Sequence, residues 1–386
     1  SGILAEKKFL TISVLGKAYL DIICQVKVML VKQKRKEVCK MSTCIKNRNE
    51  FLFLYDIKNG NPNGDPDENR PRIDDVTKRC YVTDVRLKRF VRDYIIQTDG
   101  EESILVTKLG SKTVNLTDRV IDRLKNTDKK KIEGKALMNT LLENFIDLRM
   151  FGSPLAFKGA PDEWGETSKI TGPIQINFGE TLHQVEEITF HGTSIFRSKG
   201  EAEQSEQRQG TFTTYYAIPY GLIAFHGVAN ENAAETTGLT DYDLKKFKIA
   251  LWKGVRETSS AHTRTKRDQQ PRLLLNIVYK EKIEIEENGK KEMVPTEYHI
   301  SALEEKITLK PTTEIKEDIN IRKIGDYALD FSKLIKAIGK AKDKIERVEY
   351  CLSPEFAELY ADNLITAITA LDSKIKVENL NIDNLK

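Results

Sequence analysis

With 386 residues, of which 39% are hydrophobic and 31% charged, the chain can bury a large core and has the composition of an ordinary globular protein. Its net charge of +4 is no evidence for nucleic-acid binding, because the first 40 residues hold nine cations against three anions and the rest is slightly acidic. The five cysteines have no paired spacing, so neither a disulfide framework nor a zinc site is indicated, and the five histidines form no metal-binding motif.

Residues 1–48 are expected to form an extension outside the main fold. The apolar stretch 9–31 is interrupted by Lys17, Asp21 and Lys27, which makes it a poor transmembrane span, and no small-residue cleavage site follows it. An amphipathic helix or strand lying on the protein body is one interpretation. A membrane-surface anchor, supported by the basic run at 32–36, is the other.

A strand, a long loop and a basic helix are predicted between residues 50 and 97. The run FLFLY at 51–55 is short, aromatic and bounded by turn residues, which favours a strand buried on both faces. The loop NGNPNGDP at 59–66 combines two Asn-Gly pairs with prolines, so regular structure is not expected to resume before about Tyr81. Thr83 or Asp84 is the predicted N-cap of the helix that follows.

The predicted helix carries a local excess of positive charge, with four cations and one anion between Asp84 and Arg92. At about 100° per residue its apolar side chains fall on one side, and Lys88 and Arg92 share one flank. Arg86 and Arg89 take the face far from the apolar side. Such a surface suits a phosphate backbone, although ordinary solvated lysines and arginines produce the same pattern.

From residue 98 to 148 the composition changes to charged helix formers, and helical spacing at 116–124 and 136–142 predicts an inserted, mainly helical lobe. The lysine run at 129–131 either contacts nucleic acid or is simply solvated.

The second half of the chain alternates strand and helix patterns. Strands are predicted at 173–178, 187–196, 211–229, 273–279 and 347–352, and a hairpin at 280–293. Helices are predicted at 242–255, 330–338 and 355–371. Pro219 and Gly221 should mark a bulge or bend, and Gly339 should end its helix.

Two segments of this half are poor in apolar residues. Residues 197–210 contain none larger than alanine, which predicts a protruding, mobile loop between two strands. The interval from Lys253 to Arg272 holds six cations and two anions and is the second local basic cluster; it includes Arg264, Lys266 and Arg267.

Six short segments, in this order, resemble one known family. They are FLYDIKNGNPNGDP at 53–66, VTDVRLKR at 82–89, RMFG at 149–152, GPIQ at 172–175, IPYGL at 218–222 and QQPR at 269–272. The chain resembles the backbone subunit of the CRISPR surveillance complex Cascade, a member of the RAMP superfamily, and is most similar to the form found in subtypes I-B and I-C. The resemblance runs from about residue 50 to the early 350s.

The resemblance implies an α+β fold with a ferredoxin-like palm, the architecture shared by RNA-recognition domains, and the strand and helix order agrees with it. Residues 49–97 would be the first half of the palm and 149–386 its second half. Residues 98–148 would be a mainly helical fingers insertion, and a β-hairpin thumb would lie at about 194–213.

The resemblance also implies site residues. Thr83, Lys88 and Arg92 match positions that face guide phosphates, where the hydroxyl and the two cations would act as phosphate ligands. The family often has a polar amide where Val85 stands. In the thumb, Phe196 and Phe212 are either wedges in the guide–target duplex or hinge-packing residues. The basic thumb residues are Arg197, Lys199 and Arg208.

Catalytic motifs are absent from the sequence: there is no P-loop, GxSxG, HExxH or Cys/His nucleophile arrangement. The loop after the first strand contains five acids. They are Asp65, Asp67, Glu68, Asp74 and Asp75. Relatives in type III complexes cut RNA with a loop aspartate and a divalent metal, whereas acids in a proline-rich loop also serve as turn residues. No cofactor or metal is expected.

We therefore expect a non-catalytic, cytoplasmic guide-RNA-binding filament subunit of a type I Cascade. Its expected partners are guide RNA, target DNA paired with the guide, further copies of itself, other Cascade subunits and a recruited nuclease-helicase, but no membrane. A metal-dependent endoribonuclease of the type III kind, centred on Asp65 or Asp67, is one alternative. A free-standing RNA-binding module that forms no polymer is another.

Overall fold

The computed structural model describes residues 43–108, 110, 112–124, 134–157, 164, 168–193, 212–262, 268–287 and 290–384. The apolar stretch 9–31, most of the expected thumb and the basic residues at 264–267 lie outside these ranges. Within them, no helix is both long and apolar enough to cross a membrane.

The strands are numbered in chain order. They are β1 Asn49–Gly60, β2 Tyr81–Val82, β3 Gly152–Leu155, β4 Ser168–Thr171, β5 Ile174–Ile176, β6 Gly179–Thr181, β7 Ile188–Thr193, β8 Phe212–Ala229, β9 Gln269–Tyr279, β10 Lys282–Glu287, β11 Lys290–Pro295, β12 Thr308–Pro311, β13 Tyr327–Asp330, β14 Ile345–Leu352 and β15 Lys376–Asn379.

The α-helices are α1 Asp84–Asp99, α2 Leu116–Arg123, α3 Gly134–Asn144, α4 Ile146–Phe151, α5 Glu231–Thr237, α6 Asp241–His262, α7 Ser332–Lys340, α8 Pro354–Ala361 and α9 Ala367–Thr369. A π-helical turn, Asp362–Thr366, joins α8 to α9. The predicted helix at 355–371 is therefore one nearly continuous helical segment with a bulge in its middle.

A mixed sheet forms the centre of the fold, and β1 lies in its middle. Across the described residues the strand order is β15-β14-β9-β1-β8-β6-β2, with β5 and β7 also paired to β8. All pairs in this sheet are antiparallel except β14 with β15. Every residue of β1 from Asn49 to Ile57 is buried, which confirms the prediction of a strand covered on both faces.

One face of the sheet is covered by α1 and α6. From α1 the side chains of Leu87, Phe90 and Val91 join Phe247 of α6 in a core that includes Phe53 of β1. The two helices approach closely at Gly254, where an added Cβ would lie 2.6 Å from the Phe90 carbonyl oxygen. A larger residue at 254 would force the helices apart.

The opposite face is covered by the C-terminal helices. Leu334 and Ile338 of α7 and Phe356 of α8 pack on Leu52 and Leu54 of β1. The alternation along β1 therefore divides its side chains between two cores.

Two sequence predictions about breaks in these elements are wrong. Gly339 does not end its helix, because α7 continues to Lys340. The bulge expected at Pro219 and Gly221 is absent, since β8 keeps one register against β1 from Ala229 to Ile218. The register shift lies instead in the β1–β9 pair, where Leu54 faces Leu273 and Tyr55 faces Pro271.

The helices α2, α3 and α4 surround a third, smaller core. It contains Val120, Leu141, Phe145 and Trp164, all nearly inaccessible to solvent. Helical structure at 116–123 and 134–144 confirms the periodicity seen in the sequence.

Two buried ion pairs on α4 join this helical lobe to α1 and α6, the helices that cover one face of the sheet. Asp147 accepts a hydrogen bond from Arg92 Nε at 2.9 Å and two more from the backbone amides of Leu105 and Val106. Arg149 donates through Nε and Nη2 to both carboxylate oxygens of Asp243 in α6, at 2.9 and 2.8 Å. Both carboxylates are 0–1% exposed, so the ion pairs that hold the lobe are buried away from solvent.

Replacing Arg92 with Met should destabilise the fold strongly, because the variant keeps an aliphatic side chain but leaves the Asp147 carboxylate buried without its cation. We expect a loss of about 3–5 kcal/mol in the free energy of unfolding, measured by urea denaturation.

The control for this experiment is Lys291→Met. Lys291 pairs with Glu284 at 2.8 Å, but both side chains are more than half exposed. Its removal should cost less than about 1 kcal/mol. Equal losses in the two variants would contradict the assignment of Arg92 as a buried structural charge.

A second charged group, Glu50 of β1, is wholly buried and fully hydrogen-bonded. It accepts hydrogen bonds from His226 Nε2 at 2.9 Å, from the Tyr279 hydroxyl, and from the backbone amides of Ile300 and Ser301 at 2.8 and 2.6 Å. Burial raises the pKa of Glu50, but the hydrogen bonds from His226, Tyr279 and Ile300 outweigh it, so the pKa lies below its ordinary value.

Because the folded pKa of Glu50 is lowered, its contribution to stability is present above pH 4.5, the ordinary pKa, and is lost as the pH falls through the folded pKa. The Glu50→Gln variant should therefore be less stable than the wild type at neutral pH, and the difference should shrink in acid. Urea denaturation of both proteins, from neutral pH to below pH 4.5, measures this difference in the free energy of unfolding. The exposed Glu378→Gln variant should show no such convergence.

Candidate nucleic-acid interface

The start of α1 is fixed by Thr83, as the sequence predicts. The Thr83 side chain accepts a hydrogen bond from the Arg86 backbone amide, so Thr83 is the N-cap. Its backbone amide and hydroxyl both donate to Asn63 Oδ1, at 3.1 and 2.9 Å. The Asn-Gly loop is thereby tied to the first turn of α1, which leaves the positive end of the helix dipole at this edge.

The loop between β1 and β2 is ordered by its own acids. Asp65 Oδ1 accepts from the backbone amides of Glu68 and Arg70, at 2.9 and 3.4 Å. Asp74 Oδ1 accepts from those of Val76 and Thr77, at 3.0 and 2.6 Å, and hydrogen bonds from Thr77 hold the pKa of Asp74 below its ordinary value. These two carboxylates act as turn-forming residues.

Arg70 connects this loop to the β7–β8 hairpin. Its guanidinium lies 4.5 Å from the centre of the Tyr216 ring in β8, and its Nη1 is 3.5 Å from Glu187, next to β7. The loop and the stem of the hairpin therefore form one continuous surface beside α1.

Two cations of α1 lie at or near the surface, each paired with an acid of the same helix. Lys88 Nζ is 2.9 Å from Asp84, and its side chain is 13% exposed. Arg89 Nε is 2.7 Å from Asp93, and its side chain is 46% exposed. Asp84 is partly exposed, so its pair with Lys88 can open toward a phosphate, whereas Asp93 is buried and keeps the exposed Arg89 as its partner.

The other two cations of α1 are largely buried. Arg86 does not lie on an exposed face: its guanidinium is 4.1 Å from the centre of the Phe90 ring. Its Nε and Nη2 atoms are buried without hydrogen-bond partners among the described residues. Burial lowers the pKa of Arg86, and the nearby Tyr55 hydroxyl, also buried and unpaired, opposes that shift.

Arg92 shares one flank of α1 with Lys88, as predicted, because both cations lie over the Phe151 ring, but Arg92 faces α4 rather than solvent. Its side chain is 10% exposed, it pairs with Asp147, and its guanidinium lies 5.2 Å from the Phe151 ring centre. The expectation that this basic flank is exposed is wrong, because α4 packs against this side of α1 and covers it. The local net charge of +3 counted from the sequence is thus largely neutralised by acids that include Asp93 and Asp147.

Three of the six resembling segments meet at Asp56, near the end of β1. Asp56 Oδ2 accepts from Arg272 Nε at 2.8 Å and from the Tyr220 hydroxyl at 2.9 Å. The Tyr220 and Tyr327 hydroxyls are 2.9 Å apart. Burial raises the pKa of Asp56, although Arg272 opposes it. Segments read from the sequence as a family signature therefore serve, in part, to satisfy one buried carboxylate.

The resembling segment at 149–152 is explained by close backbone packing rather than by a buried carboxylate. Gly152 has φ +69°, and an added Cβ would lie 2.2 Å from the Ile170 carbonyl oxygen. An added Cβ at Gly172 would lie 2.2 Å from the Phe151 carbonyl carbon. The backbones of the antiparallel β3–β4 pair approach closely at this point, and only glycine allows the contact.

Several predicted site residues lie outside the described residues. They are Phe196, Arg197, Lys199 and Arg208 of the thumb, and Arg264, Lys266 and Arg267 of the second basic cluster. The backbone of Phe212 begins β8, where it pairs with Thr193. Among the described residues, no group of three or more His, Cys, Asp or Glu side chains is placed to hold a metal ion.

Sequence reasoning missed the residues that support the site: Asn63, Asp147 and Asp243. Asn63 lies in the loop at 59–66 that resembles the family, and this resemblance could have identified Asn63 as a site residue. Asp147 and Asp243 stand in ordinary helical patterns, and their partners are 55 and 94 residues away in the chain, so no local signal marks them.

Comparison with known proteins places these features in a family. A family model described as CRISPR-associated protein Cas7 matches residues 47–332, most of the chain. A protein of Haloferax volcanii described as CRISPR-associated protein Cas7 is 29% identical over 320 residues, covering 78% of this chain and 85% of the relative.

Two solved structures are among the matches. A chain of a CRISPR RNA-guided surveillance complex is 14% identical with a TM-score of 0.41, covering 83% of this chain and 98% of that chain. A chain of such a complex in a pre-nicking state is 11% identical with a TM-score of 0.43, covering 84% of this chain and 100% of that chain.

Proposed function

This chain belongs to the Cas7 family of CRISPR-associated proteins, and we infer that it is the guide-RNA-binding backbone subunit of a type I surveillance complex, Cascade. The family match carries this inference, because it extends over β1, the Asn-Gly loop, α1 and the β8 and β9 strands. Such a subunit holds the phosphate backbone of the guide and leaves its bases to pair with target DNA.

We assign the sheet to a ferredoxin-like palm. The strands β9-β1-β8-β6 are neighbours in that order, α1 follows β1, and α6 connects β8 to β9, with both helices on one face. This is the β-α-β-β-α-β connection. Residues 98–148 are then the fingers and about 194–213 the thumb, and the extension outside the family fold ends before Ile45, which is buried in the main core.

We assign guide phosphates to the first turns of α1. Thr83 with its tied loop positions the helix start, and Lys88 and Arg89 supply cations at or near the surface. Arg92 supports the interface by fixing α1 against the helical lobe, and Arg86 lies close enough to the helix start to contribute charge. The segment with Arg264, Lys266 and Arg267 is the second proposed contact.

The proposed subunit is non-catalytic. Asp65 and Asp74 already accept two backbone hydrogen bonds each within their own turns, which supports a structural role for the loop acids. The alternative is a target-RNA endoribonuclease of the type III kind, for which Asp65 or Asp67 would have to leave these turns and bind a metal.

The proposed partners follow from the assigned role. They are guide RNA, target DNA through the guide, further copies of this chain, other Cascade subunits of the I-B or I-C kind and a recruited nuclease-helicase, all in the cytoplasm.

Lys88→Met should weaken binding of every single-stranded RNA alike and flatten its salt dependence. One lost phosphate contact should reduce the slope of log affinity against log salt by about 0.7. Fluorescence anisotropy over a salt series measures this, and Lys291→Met, on the distant β10–β11 hairpin, should leave the slope unchanged. An unchanged slope for Lys88→Met would place that side chain away from the RNA.

The assembled complex, incubated with complementary RNA and magnesium, should leave that RNA intact. Gel analysis of end-labelled RNA makes the measurement, with the Asp65→Ala complex as control. Regularly spaced cleavage by the wild type that is lost in Asp65→Ala would favour the endoribonuclease alternative instead.

A further inference from the structure

Helix α7 carries a stripe of lysines on the side that faces away from the sheet. Leu334 and Ile338 of this helix are buried in the core, and the lysines lie on the opposite side at positions i, i+3 and i+7. They are Lys333, Lys336 and Lys340, all exposed and none with an ion-pair partner among the described residues. The helix contains no acid, so the stripe is not balanced within α7.

This stripe is unfavourable for an isolated helix. Lysines three and four positions apart repel each other, and Lys333 also lies in the first turn, near the positive end of the helix dipole. A helix face that is only solvated usually mixes the two signs of charge. The stripe therefore indicates a partner that brings negative charge to α7.

Helix α8 covers the same face of the sheet and carries acids at the same spacing. Phe356 is buried in the core on this face, and the acids lie on the outer side of the helix. They are Glu355, Glu358 and Asp362, all exposed, with Asp362 the first residue of the π-helical turn. Within the part of the chain that the structure describes, Glu358 and Asp362 form no ion pair. Glu355 pairs with Arg272 at 3.1 Å, yet its side chain is 62% exposed.

The two helices also match in the apolar residue that lies between their charges. On α8 this residue is Leu359, four positions after Glu355 and 47% exposed. On α7 the equivalent position, four residues after Lys333, is the partly exposed Ala337. A protruding leucine on one helix and a small side chain on the other allow close approach, with the aliphatic stems of the lysines packed around the leucine.

We propose that α7 of one copy of this chain docks on α8 of a second copy. The lysines of α7 then meet the acids of α8, and Leu359 packs over Ala337. Because both helices cover the same face of the sheet, two copies related by a two-fold axis make this contact twice. The face offers equal numbers of cations and acids in the two stripes, so a second copy complements it better than a polyanion such as a nucleic acid does.

The contact leaves the RNA interface free, because α1 covers the other face of the sheet. The inference rests on the proposed function in one respect, since that function takes further copies of this chain as partners. The contact itself requires no RNA, so it can be measured separately.

The test measures self-association of the full chain without RNA, by sedimentation velocity over a concentration series. The α7 variant is Lys336→Glu/Lys340→Glu and the α8 variant is Glu358→Lys/Asp362→Lys. Each should weaken self-association at least about tenfold, because like charges then face each other. Mixing the two variants, or combining all four substitutions in one chain, should restore self-association, because each contact is again between opposite charges.

Three further measurements separate this contact from a general effect of charge. Lys282→Glu/Lys290→Glu changes the net charge as the α7 variant does, but on exposed residues of the β10–β11 hairpin, and should leave self-association unchanged. Leu359→Ala should weaken it at least about threefold. Raising the salt concentration should weaken self-association of the wild type, because salt screens the charge pairs.

Two results would overturn the proposal: a wild type that is monomeric at every concentration, and a fourfold variant that does not regain self-association. A third is an α7 variant that self-associates normally but binds RNA more weakly, since the lysines would then contact nucleic acid. Failure of the proposed function gives a different result. A chain that self-associates through α7 and α8 but binds no RNA would remove the RNA role and keep the contact between copies.

Discussion

The structure depends on β1, a strand that is hydrogen-bonded on both edges, buried on both faces, and yet carries two carboxylates. Its backbone pairs with β8 and β9 along nearly its whole length, so no water reaches Glu50 or Asp56. A buried carboxylate must be satisfied locally or be neutralised. Glu50 is satisfied by His226, Tyr279 and two backbone amides; Asp56 by Arg272 and Tyr220.

The need to satisfy these two buried carboxylates explains several contacts between residues that are far apart in the chain. Glu50 fixes the segment at 300–301 against the sheet, and Asp56 brings β8 and β9 into register near the loop that carries Asn63. Through Asn63 the loop then fixes Thr83 and the start of α1. The position of the proposed phosphate site is thus set by contacts that begin inside the sheet.

Charge has two separate roles in this protein. On α1, Arg92 pairs with the buried Asp147 and stabilises the helical lobe, whereas Arg89 is exposed and Lys88 pairs with the partly exposed Asp84. A count of cations along the helix cannot separate these roles. A buried ion pair is held because separating it would leave an unpaired charge, whereas a surface pair competes with solvent and salt at little cost. Only the second kind can be released to a phosphate.

The sequence by itself determined the elements that depend on local pattern. The buried strand at β1, the cap at Thr83, the helices at 116–123 and 134–144 and the family follow from apolar runs, turn residues and short ordered segments. Tertiary structure decided what those patterns leave open. The burial of Arg92 and the meeting of Asp56 with Arg272 depend on which surface of another element lies opposite. Arg92 meets Asp147 55 positions away and Asp56 meets Arg272 216 positions away, so a local pattern cannot show which flank of α1 stays open to solvent, because the elements that cover it come from distant parts of the chain.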